Sequence, residues 1–171
     1  MIFEIDEYFL AEQSRVVSNK VGVEIQKSIN NAMILYKTKT KKLSGTSYKE
    51  VIKKARKVFH QIEKRSKRSA YLKSAYFGKK IFINLFCEHI NQKSPRDRIR
   101  RLKLLPCAIE LIENSKQKPT SKPNPNKKNE ILHRFGGITS MGELFYVQIK
   151  EKVKTKRRDF ISVFPEELSK K

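Results

Sequence analysis

The stretch ILHRFGGITSMGELFYVQIK, residues 131–150, sets a histidine beside an arginine, ahead of two glycines and a strand-like alternation. His133 titrates near neutrality, which makes it a candidate general acid or base. Arg134 offers a planar fork suited to phosphate oxygens. The pair would suit a phosphate ester, provided both side chains face the same substrate. Strict alternation opposes this, because it groups His133 with Ile131 and Phe135 and puts Arg134 on the other side with Leu132. A bulge at Gly136-Gly137 would be needed to re-aim them. A histidine in such an apolar set is more often structural than catalytic. His60 and His89, each on or beside a helix, are further candidates.

The elements around this stretch are legible from patterning. Ser47-Tyr48-Lys49-Glu50 reads as a capping box. The helix behind it carries Val51, Ile52, Ala55, Val58, Phe59 and Ile62 on one stripe, with Lys53, Lys54, Arg56, Lys57 and Lys64 opposite. Residues 69–86, SAYLKSAYFGKKIFINLF, read as two strands flanking a glycine turn. Ser94-Pro95-Arg96-Asp97 opens a second helix, which Pro106 should kink or split. On that helix Arg96, Arg100 and Lys103 share a face. Residues 115–129 hold three prolines and no apolar side chain, and read as a solvated loop. Three strands follow, over 130–138, 143–152 and 159–164, the last two joined by a basic turn.

The expected architecture is therefore α+β. Two or three helices pack on one face of a four- to five-stranded antiparallel sheet. Residues 1–45 form an N-terminal extension, partly helical, and residues 46–171 the main domain. Alternation then divides the sheet faces. Phe145, Val147, Ile149, Ile161 and Val163 point to the core, as do Ile81, Ile83 and Leu85. Tyr146, Gln148, Lys150, Phe160, Ser162, Phe164, Phe82, Asn84 and Phe86 point away. Rings mixed with cations and small polar groups on an open sheet suit RNA, whose bases stack while its phosphates meet Lys and Arg. The rival reading is a second small core under the extension.

Composition sets the partner. Lys+Arg number 39 against Asp+Glu 17 in 171 residues, a formal charge of +22. Phosphate backbones are the commonest target of such an excess. No apolar run approaches the roughly 20 residues that span a bilayer, and the basic helices lack the large apolar face of a membrane-surface anchor. The start, MIFEIDEYF, is acidic where a signal peptide would be basic, so the expected location is cytoplasmic. Glu4, Asp6, Glu7 and Glu12 precede the first basic residue, and this acidic stretch could lie on the basic face or dock a partner. Cys87 and Cys107 lie far apart with no CxxC, and Cys87 with His89 is too few ligands for zinc. No metal or other cofactor is expected.

Read in order, SAYF-GKK-IFINLF, HRFGGIT, ELFYVQIKE and DFISVFPEE behind these helices resemble the phage- and mobile-element-borne nucleases of the barnase–EndoU–colicin–RelE fold group. The resemblance covers roughly residues 47–167. It implies a small metal-independent endoribonuclease, toxin-like, with RNA rather than DNA on the open face and an immunity or antitoxin protein as a further partner. It also implies attack of a 2′-hydroxyl on the adjacent phosphate to leave a cyclic phosphate. The positions that match are His133 as base or acid, Arg134 on the phosphate and Thr139 as a hydrogen-bond donor. Lys150 and Ser162 would stabilise developing charge. RelE-like enzymes that lack histidine would favour Arg134, Lys150 and Tyr146. The candidate nucleic-acid contacts are Lys73, Phe82, Arg96, Arg100, Lys103 and Tyr146. The alternative is a non-catalytic nucleic-acid-binding accessory protein of a phage or mobile element.

Overall fold

In the computed structural model, residues 35–66 and 69–166 are described; the acidic stretch and most of the expected extension fall outside them. The elements run β1 (Leu35–Lys37), α1 (Tyr48–Arg65), β2 (Tyr71–Lys73), β3 (Lys80–Phe82), α2 (Asn84–Asn91), α3 (Pro95–Lys103), α4 (Leu105–Asn114), β4 (Thr120–Pro123), β5 (Glu130–Ile138), β6 (Leu144–Lys152) and β7 (Arg158–Pro165).

The helix boundaries follow local chemistry. Ser47 Oγ accepts from the Glu50 amide at 3.3 Å, while the Glu50 carboxylate reaches back to the Thr46 amide. Ser94 caps α3 in the same way, with Pro95 at its first turn. Pro106 splits the second helical run: α3 ends at Lys103 and α4 begins at Leu105, where proline's missing N–H costs nothing.

The expected four- to five-stranded antiparallel sheet under two or three helices is corrected. Among the described residues, four helices accompany a seven-stranded, curled mixed sheet of order β1-β5-β6-β7-β3-β2, with β4 off this path on β5. β5 pairs along one edge with both β1 and β4. β1 runs parallel to Gly136–Ile138, and β4 runs antiparallel to Ile131–Arg134. β3 joins β7 in parallel through Ile81 and Phe82. Both short strands on β5 come from segments with no strand pattern. β4 arises inside the proline-rich 115–129 segment, where an edge strand can carry Pro123 because one side needs no ladder donor. β1 falls within the expected extension, and Leu43 nearby bonds its amide to the Lys103 carbonyl and packs on the core.

The helices cover one sheet face. Phe145, Val147, Ile149, Phe160 and Val163 are buried there. Phe86 of α2 stacks on Phe160 with centroids 4.6 Å apart, and Leu111 of α4 reaches Gly137. Two facings differ from expectation. α2 begins at Asn84, so Phe86 turns into the core rather than away from it. In β7, Gln148 pairs with Ser162 but Ile149 pairs with Phe160, so Ile161 is an extra residue. This bulge re-phases the strand, putting Phe160 in the core and leaving Ile161 half-buried.

Candidate nucleic-acid interface

Ladder register fixes which side chains share a face, because directly opposed residues point the same way. Arg134 opposes Gln148, which opposes Ser162; Gly136 opposes Tyr146, which opposes Phe164; Leu132 opposes Lys150. On the other face His133 opposes Ile149, and Phe135 opposes Val147. The β5–β6 register passes through Gly136 and Gly137 without interruption, so no bulge re-aims His133 toward Arg134. The sheet's bulge lies two strands away, at Ile161.

His133 is 8 % exposed, with its ring against Phe77 at 5.0 Å between centroids. Its Nδ1 lies 2.7 Å from Ser121 Oγ on β4. Its Nε2 lies 3.4 Å from Glu151 Oε2, within reach of the charge though not aligned for a hydrogen bond. Arg158 Nε pairs with that same carboxylate at 2.7 Å and its guanidinium covers the Phe77 ring at 4.3 Å. Burial holds the His133 pKa below its usual value, with Glu151 pulling it up and Arg158 pushing it down. A serine, a histidine and a carboxylate in sequence invite comparison with a nucleophilic triad. Here the ring is buried against Phe77 and seats its Nδ1, rather than Nε2, on the hydroxyl. The cluster ties β4 to β5 and β5 to β6, beside the β6–β7 turn.

The open face gathers a different set. The Arg134 guanidinium lies 5.2 Å from the Phe164 centroid and 5.9 Å from that of Tyr146. Arg101, from α3, lies 5.7 Å from the same Phe164 ring. It donates to Ser162 Oγ at 2.5 Å and pairs with Asp97 through Nε at 2.8 Å. Tyr146 and Phe164 are tilted neighbours 5.7 Å apart. The Tyr146 hydroxyl donates to Glu166 at 3.3 Å. Burial first, then the Glu166 charge, raises its pKa, with Arg134 opposing. Two concavities of about 250 Å3 flank this cluster. Thr120, Lys122, Pro125 and Leu132 line one with Arg134 and Gln148. Arg100, Arg101, Tyr146, Phe164 and Glu166 line the other.

The expected site residues thus divide. Arg134, Ser162, Tyr146 and Arg100 meet on or beside the open face. Lys150 shares that face but is largely covered and pairs with Glu130 at 3.5 Å. Thr139 is buried at the end of β5, where its hydroxyl accepts from the Glu143 amide and holds the β5–β6 turn. Lys73 and Phe82 line a separate cleft at the β2–β3 edge. Arg96 is exposed at the start of α3. Lys103 lies toward α1. There the Glu50 carboxyl is held below its usual range mainly by Lys54, then by the Thr46 amide, with a smaller pull from Lys103. Arg101 is the residue that sequence reasoning missed. Its signal is Asp97 four residues earlier, which turns the guanidinium toward β7.

Cys87 is half-buried and its thiol is pushed up to about 11 by desolvation, and Cys107 is buried and shifted the same way. Among the described residues there is no group of three metal-ligating side chains, and no helix is long and apolar enough to cross a membrane. No family model, no curated protein and no solved structure matches this chain.

Proposed function

We propose that this protein binds single-stranded RNA across the open sheet face, with Arg134, Arg101, Tyr146 and Phe164 at the centre of the contact. The carrying observation is that two guanidinium groups from different elements converge on one ring, Phe164, and that one of them also reaches Tyr146. Bases stack on such rings or on the guanidinium planes above them, and the same cations meet phosphates. An excess of 22 positive charges supplies attraction that needs no sequence readout.

A metal-independent endoribonuclease, toxin-like and paired with an immunity protein, is the second reading. It is favoured by Tyr146, whose hydroxyl bonds Glu166 within the arginine cluster. Glu166 would take the 2′-hydroxyl proton, Tyr146 would protonate the leaving oxygen, and Arg134 and Arg101 would stabilise the phosphorane. His133 has no part in this scheme, since it lies on the other face.

One experiment separates the two. Wild-type protein and its Arg134→Ala and Tyr146→Phe variants are incubated with total cellular RNA in EDTA, and bound RNA and product ends are both examined. The binding reading expects intact RNA retained by wild type and about tenfold weaker retention by Arg134→Ala, the loss of one charged, stacking contact. Fragments with cyclic-phosphate ends, absent in Tyr146→Phe, would establish the nuclease. RNA neither retained nor cut would defeat both.

A further inference from the structure

A second basic cleft of about 700 Å3 opens on the same sheet face, at the opposite end of β7 from Phe164. Tyr71 and Phe82 supply its rings. The β2–β3 hairpin brings Lys79 and Lys80 to it, and the β6–β7 turn brings Lys156 and Arg157. Among the described residues no carboxylate lines it.

Two features distinguish it from a patch of surface lysines. Each ring is capped by a cation, with Lys80 Nζ 4.4 Å from the Tyr71 centroid and the Arg157 guanidinium 4.3 Å from that of Phe82. Arg157 is held in that position through Nε, which donates to the buried Asp159 at 3.1 Å. A planar base is the group that extends such a cation–aromatic column. The second feature is in the backbone. Lys156 has φ of 55°, the left-handed region that glycine or asparagine enters cheaply and lysine does not. Backbone strain of this kind is characteristic of residues kept for what they hold.

We propose that this cleft binds a phosphorylated nucleoside, the base against the Phe82–Arg157 column and the phosphate among Lys79, Lys80 and Lys156. The nucleoside would be a free nucleotide or the phosphorylated end of an RNA, since both present the same chemistry. Asp159, which pairs with Phe82, and Phe164 are five residues apart on β7, about 16 Å along the strand. The cleft is therefore distinct from the Arg134 cluster, and its ligand does not depend on the RNA reading.

The test is calorimetric titration of the full chain at low salt with adenosine monophosphate, adenosine and inorganic phosphate. The monophosphate should bind about tenfold or more tightly than either fragment, because only it uses both halves of the cleft. The exposed double substitution Lys79→Ala/Lys80→Ala should weaken it about tenfold, as should Phe82→Leu, which keeps apolar bulk and removes the ring. Arg134→Ala should leave it unchanged. Inorganic phosphate binding as well as the monophosphate would overturn the proposal, as would equal weakening by Arg134→Ala and the lysine pair. A short RNA with and without a terminal phosphate, titrated into Arg134→Ala, separates the sources. Preference for the phosphorylated end assigns the cleft to RNA termini, and indifference with retained monophosphate binding assigns it to free nucleotide. Failure of the monophosphate while RNA still binds the wild type overturns this proposal alone; the converse overturns the open-face reading alone.

Discussion

His133 and Arg134 are neighbours in sequence and have opposite fates in the fold, because a strand sends successive side chains to opposite faces. That much was legible: alternation alone separated them, and Gly136-Gly137 offered the only local means of reuniting them. The ladder shows why the glycines serve another end. A Cβ on Gly137 would sit 2.4 Å from Phe145 Cζ, so the residue is small to admit a ring. His133 then has a pH consequence. Burial keeps its folded pKa below the unfolded value of about 6.5, so the unfolded chain takes up the proton more readily. The stability this buried neutral ring contributes is present above that unfolded value and is lost as pH falls through the folded one. Glu151 and Arg158 face the ring from β6 and β7, and Ser121 from β4. Urea midpoints measured at neutral pH and at pH near 5 should drop more for wild type than for His133→Gln, whose neutral amide can still meet Ser121. Equal drops would mean that other groups carry the acid sensitivity.

At the scale of elements, the long strands, the capped helices and the glycine-turned hairpin were readable, and the isolated short edge strands were not. β5, β6 and β7 carry enough alternation, and α1 and α3 enough capping chemistry, to declare themselves. β1 and β4 have three or four residues each, too few for a period to show, and they exist because a neighbour's edge is free. The equally short β2 and β3 were announced by the glycine turn between them and do pair antiparallel. The β7 bulge was invisible for a related reason. Its alternation read without interruption puts Ile161 inside, and only the pairing of Phe160 with Ile149 reverses that. Sheet and helices meet closely at Gly137, pressed by Phe145 and by Leu111 of α4. Gly137→Ala should cost about 1–3 kcal/mol as overpacking. Phe145→Leu removes the ring atoms nearest the new methyl, so the double variant should lose less than the sum of the singles, with a coupling of about 1 kcal/mol. Additive losses in denaturant titrations would show that the clash is relieved elsewhere.

Over the whole molecule, charge is partitioned as well as unbalanced. Most described carboxylates are engaged internally: Glu50 with Lys54, Asp97 with Arg101, Glu130 with Lys150, Glu151 with Arg158 and Asp159 with Arg157. Glu110, which burial would raise, is instead held down by the Lys39 and Thr40 amides that tie the segment after β1 to α4. With the acids so occupied, the surplus cations face solvent, and the sheet decides which of them a polyanion meets together. Affinity for a single-stranded RNA should therefore fall steeply with salt, and each phosphate contact removed should lower the slope of log K against log salt by about 0.7. Composition treats all lysines and arginines alike, but the fold does not. Arg100 lines the concavity beside Tyr146 and Phe164, whereas Lys103, on the same helix, lies toward Glu50 and α1. Arg134→Ala and Arg100→Ala should each lower the slope by about that amount, and Lys103→Ala should leave it unchanged. If Lys103→Ala lowers the slope as much as Arg100→Ala does, the RNA follows the charge of α3 as a whole, and the open face is not its track.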